Sequence, residues 1–398
     1  MKESSTSGAL FPAWAMTRLW AICAGLQLLP YPNAQYLFSD VRLYNWWAGN
    51  IIDGHFPIND PMWQYPPIAA LLFTLGYLIS PQTIGFVSLA LTADAAILAM
   101  LIRAGRRVTP IAVTPAWLWV ATPLVMGPIA LGRFDVFPTA LAVAALLATR
   151  PQTTGAALAV GALLKVWPGL GLLAVKRSAF AKTFLMFILT GVAVTAALMA
   201  WWPDSFGFII GQRSRGLQIE SVGALPYMLW NVGPSRIISD LQFGSIEVIA
   251  QGTWWMGAFV TMVAIILFGV LMLWRLSGAL DRAPNCDVML VAVLTAMVTS
   301  RVLSPQYNLW ALGLVAVCAF TPQPHFRLIA TLIFISAFAG QLLYPWLYIG
   351  FESGGLIATC VQVIRITTLL WATFLTWRNL YVRYPFRRSH SDLLNQGS

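Results

Sequence analysis

Long apolar runs separated by short basic clusters dominate this chain and leave few folds open to it. Candidate runs cover approximately 13–33, 82–103, 110–130, 135–149, 180–202, 252–274, 286–302, 305–320, 326–345 and 355–377. A helix needs about 20 apolar residues to cross a hydrocarbon layer, and backbone polar groups in lipid have to be satisfied within their own segment. A barrel would show short alternating strands, which the sequence lacks. The expected fold is therefore all-α: a polytopic transmembrane helical bundle of about ten full spans. The composition agrees, with 59% of the 398 residues hydrophobic and 10% charged, where a soluble domain carries roughly 25% charge.

The net charge of +10 would suggest nucleic acid in a soluble protein. Here the Lys and Arg residues fall in short clusters between apolar runs, the pattern of cytoplasmic membrane loops, so no nucleic-acid partner is expected and the bilayer is the partner. Cys23, Cys286, Cys318 and Cys360 are scattered without a CxxC, and His55, His325 and His390 lie far apart. This spacing gives no disulfide framework and no metal site. No cofactor is expected, and a divalent metal is left open. The first run lacks a small-residue cleavage site and reads as a retained helix.

Residues 66–80 and 153–175 are apolar but ambiguous. The first is short and opens with Pro66-Pro67, and the second is interrupted at Pro168-Gly169. Treating 66–80 as a dip into one leaflet and 153–175 as a re-entrant or paired half-span puts Arg103, Arg106, Arg107, Arg150, Lys176, Arg177, Lys182, Arg275, Arg282 and Arg327 on one side. The positive-inside rule makes that side cytoplasmic, with both termini and a basic tail, 378–398. The whole chain, 1–398, reads as one domain of a multi-pass plasma-membrane protein. The polar segments then share the outer face: the loop 39–67, the turn 132–135, the loop 203–251 and the turn 301–307. No internal repeat is evident, which counts against an inverted-repeat transporter.

Chemistry-bearing residues concentrate in those segments. Asp40 follows the first run on its outer side and precedes Val41, Tyr44, Trp47, Ala48 and Ile51 at helical spacing. That spacing predicts a short amphipathic helix on the membrane surface in the first outer loop. A carboxylate there can meet a lipid-borne and a water-borne substrate, or it can merely cap the helix. Asp60, followed by Pro61, is the alternative base or a turn residue. Arg133 and Asp135 share a turn and could pair with each other. Lys165 lies at membrane depth, where an unpaired lysine costs about 2.5–3.5 kcal/mol; a lipid phosphate would satisfy it. Arg365, mid-run, poses the same question. Arg213 and Arg215 with Gln218, Glu220 and Ser221 suit phosphate and hydroxyl recognition. Arg301, Gln306 and Tyr307 stand at another outer turn.

Asp40 with Tyr44, Gln64-Tyr65-Pro66-Pro67, Lys165 with Pro168, the run 217–221 and Ser304-Pro305-Gln306-Tyr307 follow one another in an order that resembles glycosyltransferase family 87. The resemblance runs from about 36 to 320. It implies a GT-C type of bundle and transfer of a sugar, typically mannose, from a polyprenyl-phosphate donor to a cell-envelope glycolipid or glycan acceptor. It also implies an essential Asp in the first outer loop, by position Asp40. Some members carry a His-bearing motif at the late outer turn, where this chain has Ser-Pro-Gln-Tyr, so the sugar and acceptor stay open.

The residues fit that chemistry independently. A polyprenyl phosphate is a good leaving group, so transfer needs a base for the acceptor hydroxyl and positive charge for the departing phosphate. Asp40 supplies the first; Lys165, Arg213, Arg215 and Arg301 supply the second. Tyr44, Gln218, Glu220, Gln306 and Tyr307 are candidates for acceptor and sugar binding. A lipid or small-molecule transporter or flippase is the alternative reading, and an envelope-assembly scaffold a third.

Overall fold

Helix is the most local way to satisfy the backbone of an apolar chain, and it governs this one. The computed structural model describes residues 8–58, 60–108, 112–203, 205–207, 215–233 and 237–386. Among the described residues twelve helices reach ten residues or more. They are α1 Leu10–Gly25, α2 Ser39–Ile52, α3 Ile68–Ile79, α4 Thr83–Gly105, α5 Val136–Leu147, α6 Pro151–Leu164, α7 Arg177–Trp201, α8 Thr253–Ser277, α9 Asn285–Val298, α10 Asn308–Cys318, α11 Phe326–Gln341 and α12 Leu356–Arg383. The basic tail expected over 378–398 thus begins inside α12, and residues 387–398 lie outside the described residues.

Among the described residues, five segments are long and apolar enough to cross a membrane: Thr83–Gly105, Arg177–Trp201, Thr253–Ser277, Phe326–Glu352 and Leu356–Arg383. The remaining candidate runs form shorter helices. The run 110–130 breaks into Thr114–Val120, Thr122–Met126 and Ile129–Gly132. The 12-residue α3 extends about 18 Å, well short of a 30 Å core. Its tight hairpin with α4 rests on Gly85, where a Cβ would stand 2.3 Å from the Gly76 carbonyl oxygen.

The layers sort by burial. Every residue of α10 is buried, as are most of α9, so these two helices form the centre. In α7, Thr183 and Leu198 are buried, while Leu185, Leu189 and Val192 are exposed. An apolar helix left bare in this way fits lipid as its surroundings. α8 behaves similarly.

Helix α2 buries Val41, Tyr44, Trp47, Ala48 and Ile51, the face its spacing predicts. That face does not turn to lipid. It packs on an aromatic cluster in which Tyr44 stacks on Phe73 at 4.1 Å and Tyr65 meets Phe134 at 4.9 Å. Protein packing has used up the apolar stripe that pointed to a membrane surface.

One element departs from the all-α expectation. Ile238–Gln242 (β1) and Ser245–Ile249 (β2) pair antiparallel, with Gln242 opposite Ser245. The two turn residues, Phe243 and Gly244, have φ of +50° and +74°, as a two-residue hairpin turn requires. Phe at the first of these positions lacks the Asn or Asp signal that would announce such a turn.

The first half is held by a buried ion pair that the sequence reading did not identify. Arg18 on α1 meets Asp94 on α4 through Nε at 2.9 Å and Nη2 at 2.9 Å. It also donates to the carbonyls of Val120 (2.7 Å) and Trp119 (2.9 Å). Those carbonyls lack the usual donor four residues on for a local reason. Pro123 has no N–H to offer Trp119 four residues back, and Leu124 bonds Ala121 instead of Val120. Arg18 thus repairs a helix break that Pro123 creates. Removing one partner of a buried pair leaves an uncompensated charge, so Arg18→Ala should lower stability by about 3 kcal/mol. Arg18→Met combined with Asp94→Leu should cost less than Arg18→Ala. Unfolding of the purified protein in detergent, followed by tryptophan fluorescence, checks the ranking.

Candidate active site

Two cavities flank a shared wall at the end of the bundle where α5 and α10 begin. The larger, about 440 Å³, is lined by Ser39 and Asp40 of α2, Arg133, Gln218, Glu220, the hairpin residues Leu241 and Gly244 to Ile246, Ser304 to Gln306, and Tyr344, Tyr348 and Glu352. The smaller, about 390 Å³, is lined by Gln64, Lys165, Trp167, Arg215, Ser300, Tyr307 and Trp310, with Val166, Leu170, Phe268 and Ala296 as its apolar part.

The turn 132–135 belongs to the wall, and its two charges face opposite ways. Arg133 is extended, at φ −130° and ψ 148°, and reaches the larger cavity. Its Nη1 lies 2.5 Å from Asp40 Oδ1. Its Nη2 donates to the Tyr344 hydroxyl at 3.3 Å, which donates to the Tyr36 carbonyl at 3.0 Å. Burial works against the Arg133 charge, and the Asp40 carboxylate together with Tyr344, Tyr44 and Tyr65 outweighs it, so the guanidinium is held above its ordinary value. Asp135 turns to the other side and accepts from Lys165 Nζ and Trp310 Nε1, both at 2.7 Å. The two therefore do not pair with each other as the sequence allowed. Each takes a partner from another element.

Lys165 owes its place to Pro168. A proline there cannot donate to Leu164, so α6 stops and Lys165 becomes extended, at φ −158°. Its ammonium then sits 4.4 Å from the Tyr307 ring centroid and 4.9 Å from those of Phe134 and Trp310. Such aromatic faces favour a cation in a desolvated site.

A second network fixes the late turn. Arg365 of α12, fully buried, pairs with Glu220 at 2.5 Å and donates to the Leu303 carbonyl at 2.6 Å. Gln218 accepts from the Leu303 N–H at 2.8 Å and donates to Glu220 at 3.2 Å. Gln362 donates to the Glu220 carbonyl at 2.6 Å. Burial raises the Glu220 pKa above the ordinary carboxylate value although Arg365 pulls it down. The mid-run arginine thus has its partner in the loop 203–251.

The other candidates are placed as follows. Arg215 lines the smaller cavity and donates to the Phe243 carbonyl at 2.6 Å. Arg301 lines neither of these two cavities and donates to the Arg215 carbonyl at 3.1 Å and to Thr261 at 3.3 Å. Gln306 faces the larger cavity and Tyr307 the smaller. Tyr44 is buried in the aromatic cluster, its hydroxyl 3.3 Å from that of Tyr65. Burial pushes both phenols above their ordinary values, so they stay neutral. Asp60 accepts from Trp47 Nε1 at 2.7 Å and the Met62 N–H at 2.8 Å. Both its oxygens serve the turn that carries Trp63, and it lines neither cavity. Arg213 lies outside the described residues.

Sequence reasoning missed Tyr344, Tyr348 and Glu352, which complete the larger cavity. The available signal was the polar interruption of an apolar run at Tyr344-Pro345, followed by Glu352-Ser353-Gly354-Gly355. Of the three carboxylates facing that cavity, Asp40 is engaged by Arg133, Glu220 by Arg365 and Glu352 by the Ser239 hydroxyl at 3.0 Å.

The two cavities thus differ in lining: one carries Asp40, Glu220 and Glu352 beside Arg133, and the other carries Lys165 and Arg215 among apolar and aromatic side chains. The model of glycosyltransferase family 87 matches residues 63–305, and the chain belongs to that family. No curated protein matches the chain. The matched stretch contains Arg133, Lys165, Arg215, Gln218, Glu220 and Arg301, whereas Asp40 precedes it and Tyr344 to Glu352 follow it.

Glu220→Gln keeps the shape but leaves Arg365 a buried cation without an anion. It should cost about 3 kcal/mol of stability, read as a lowered melting temperature in detergent. The Arg365→Gln variant of the Glu220→Gln protein should recover part of that loss.

Proposed function

We propose that this glycosyltransferase moves a sugar, most simply mannose, from a polyprenyl-phosphate donor to a cell-envelope glycolipid or glycan acceptor. The observation that carries this reading is the pair of cavities on one wall, with Asp40 facing the first and Lys165 with Arg215 facing the second. The donor phosphate sits in the second cavity, between the Lys165 ammonium and the Arg215 guanidinium. Its polyprenyl chain leaves past Val166, which is 74% exposed, and along the lipid-facing α8. Arg301 supports this site through the Arg215 backbone.

The acceptor occupies the larger cavity, among Gln218, Glu220, Gln306 and the Asp40 carboxylate. Arg133 holds that carboxylate in place. The acceptor oxygen attacks the anomeric carbon, the bond from that carbon to the phosphate oxygen breaks, and the hydroxyl proton passes to Asp40. The departing phosphate carries the electron pair and is stabilised by Lys165 and Arg215. A single displacement inverts the anomeric centre. A GT-C type of bundle with ten crossings and two partial ones, acting as one domain, accommodates this arrangement. The basic residues at the far ends of α4, α8 and α12 support cytoplasmic termini and a site on the outer face of the plasma membrane.

Transfer from radiolabelled polyprenyl-phosphate-mannose to a panel of mannosides and envelope lipids tests the proposal. Asp40→Asn should reduce turnover by about a thousandfold while the protein stays folded. Equal transfer by wild type and Asp40→Asn removes Asp40 from the mechanism. Lys165→Met should raise the KM for donor by about tenfold. Movement of labelled lipid across liposomes without transfer would replace the enzyme by a flippase.

A further inference from the structure

The ends of α9 and α10 remote from both cavities bring together three side chains that the transfer chemistry does not use. Cys286 and Asp287 stand in the first turn of α9, and Cys318 is the last residue of α10. The two Sγ atoms and a carboxylate oxygen of Asp287 all lie within 4.8 Å of one another. The three residues are 7%, 3% and 0% exposed respectively. Cys286 stands about 18 Å along α9 from that helix's other end at Val298.

A carboxylate this deeply buried needs a cation. The one beside it is Arg383, whose Nη1 reaches Asp287 Oδ2 at 4.0 Å and whose side chain is 38% exposed. That contact is long and reaches one oxygen. The other oxygen accepts from Cys286 Sγ at 3.9 Å, a weak bond. The carboxylate is thus flanked by two thiols and served poorly by its neighbours. Thr321, exposed at the surface, lies 3.6 Å from Cys286 Sγ through its Oγ1 and opens the cluster to solvent.

We propose that Cys286, Asp287 and Cys318 form a binding site for a thiophilic divalent cation, of which Zn²⁺ is the type. Two thiolates and one carboxylate are a fitting donor set for such an ion, with bonds of about 2.0–2.3 Å. On binding, both thiols lose their protons to solvent, and three anionic ligands meet a dication. The single remaining negative charge faces Arg383. A fourth position stays open on the Thr321 side. The ion ties the start of α9 to the end of α10, the two helices at the centre of the bundle. The site is independent of the sugar-transfer reading.

Full-length protein, purified in detergent with reduced thiols, is titrated with Cd²⁺ and followed by the thiolate-to-cadmium absorption band, then with Zn²⁺ as competitor. One equivalent of Cd²⁺ should bind, and Zn²⁺ should displace it. Cys23→Ser and Cys360→Ser should leave the band intact, and Cys286→Ser and Cys318→Ser should remove it. A band that survives in the Cys286→Ser and Cys318→Ser proteins, or no band in the wild type, overturns the site. A second measurement needs no variant and so does not depend on its folding. Zn²⁺ should slow alkylation of Cys286 and Cys318 in the wild type by about tenfold or more, since the metal withholds the thiolate. Alkylation of those two cysteines at the same rate with and without Zn²⁺ overturns the proposal.

Discussion

A cation at membrane depth has to find an anion, and four buried or half-buried cations govern how these helices are joined. Arg18 takes Asp94, Arg133 takes Asp40, Lys165 takes Asp135 and Arg365 takes Glu220. In each case the carboxylate comes from a different element. Charge in an apolar surrounding is expensive unless it is paired and hydrogen-bonded, so each pair excludes arrangements that would separate its partners. Arg365 has the longest reach: through Glu220 and Leu303 it joins α12 to the long loop and to the late turn at once.

The site follows from those attachments. The turn 132–135 cannot satisfy its own two charges, because Arg133 and Asp135 point to opposite sides. One draws in α2 through Asp40, and the other draws in the extended Lys165 after α6. The turn that borders both cavities is thus held by charge pairing, with Asp40 on one side of it and Lys165 on the other. Prolines set the local geometry. Pro123 interrupts the helical bonding at Trp119 and Val120, whose carbonyls Arg18 then bonds, and Pro168 ends α6 so that Lys165 leaves the helical path. In a soluble protein water would answer such defects; here side chains do.

Much of this was legible in the residues. The apolar runs specified helices, and the positions of Val41, Tyr44, Trp47, Ala48 and Ile51 specified one face of α2, because burial follows helical periodicity. The ordered motifs pointed to the family that the matched stretch shows. The hairpin was not legible, because Phe243 adopts a positive φ without any residue that favours one. Tyr344 was missed because it closes what reads as a span, and Tyr348 and Glu352 because they fall in the short connection to the next run. Asp60 and Asp40 looked similar in sequence, yet one has both oxygens committed to a turn and the other faces a cavity.

By itself the sequence determined the helical class, the apolar faces and the residue types that can carry the chemistry. These depend on solvent and on near neighbours in the chain, and both are written in local pattern. The tertiary structure decided which charges meet, which side of the wall each residue faces, and that Cys286 and Cys318, scattered in sequence, lie side by side with Asp287. Those outcomes depend on contacts between residues tens to more than a hundred positions apart. Their energies come from excluding solvent around a specific pair, and no local pattern records which pair that will be.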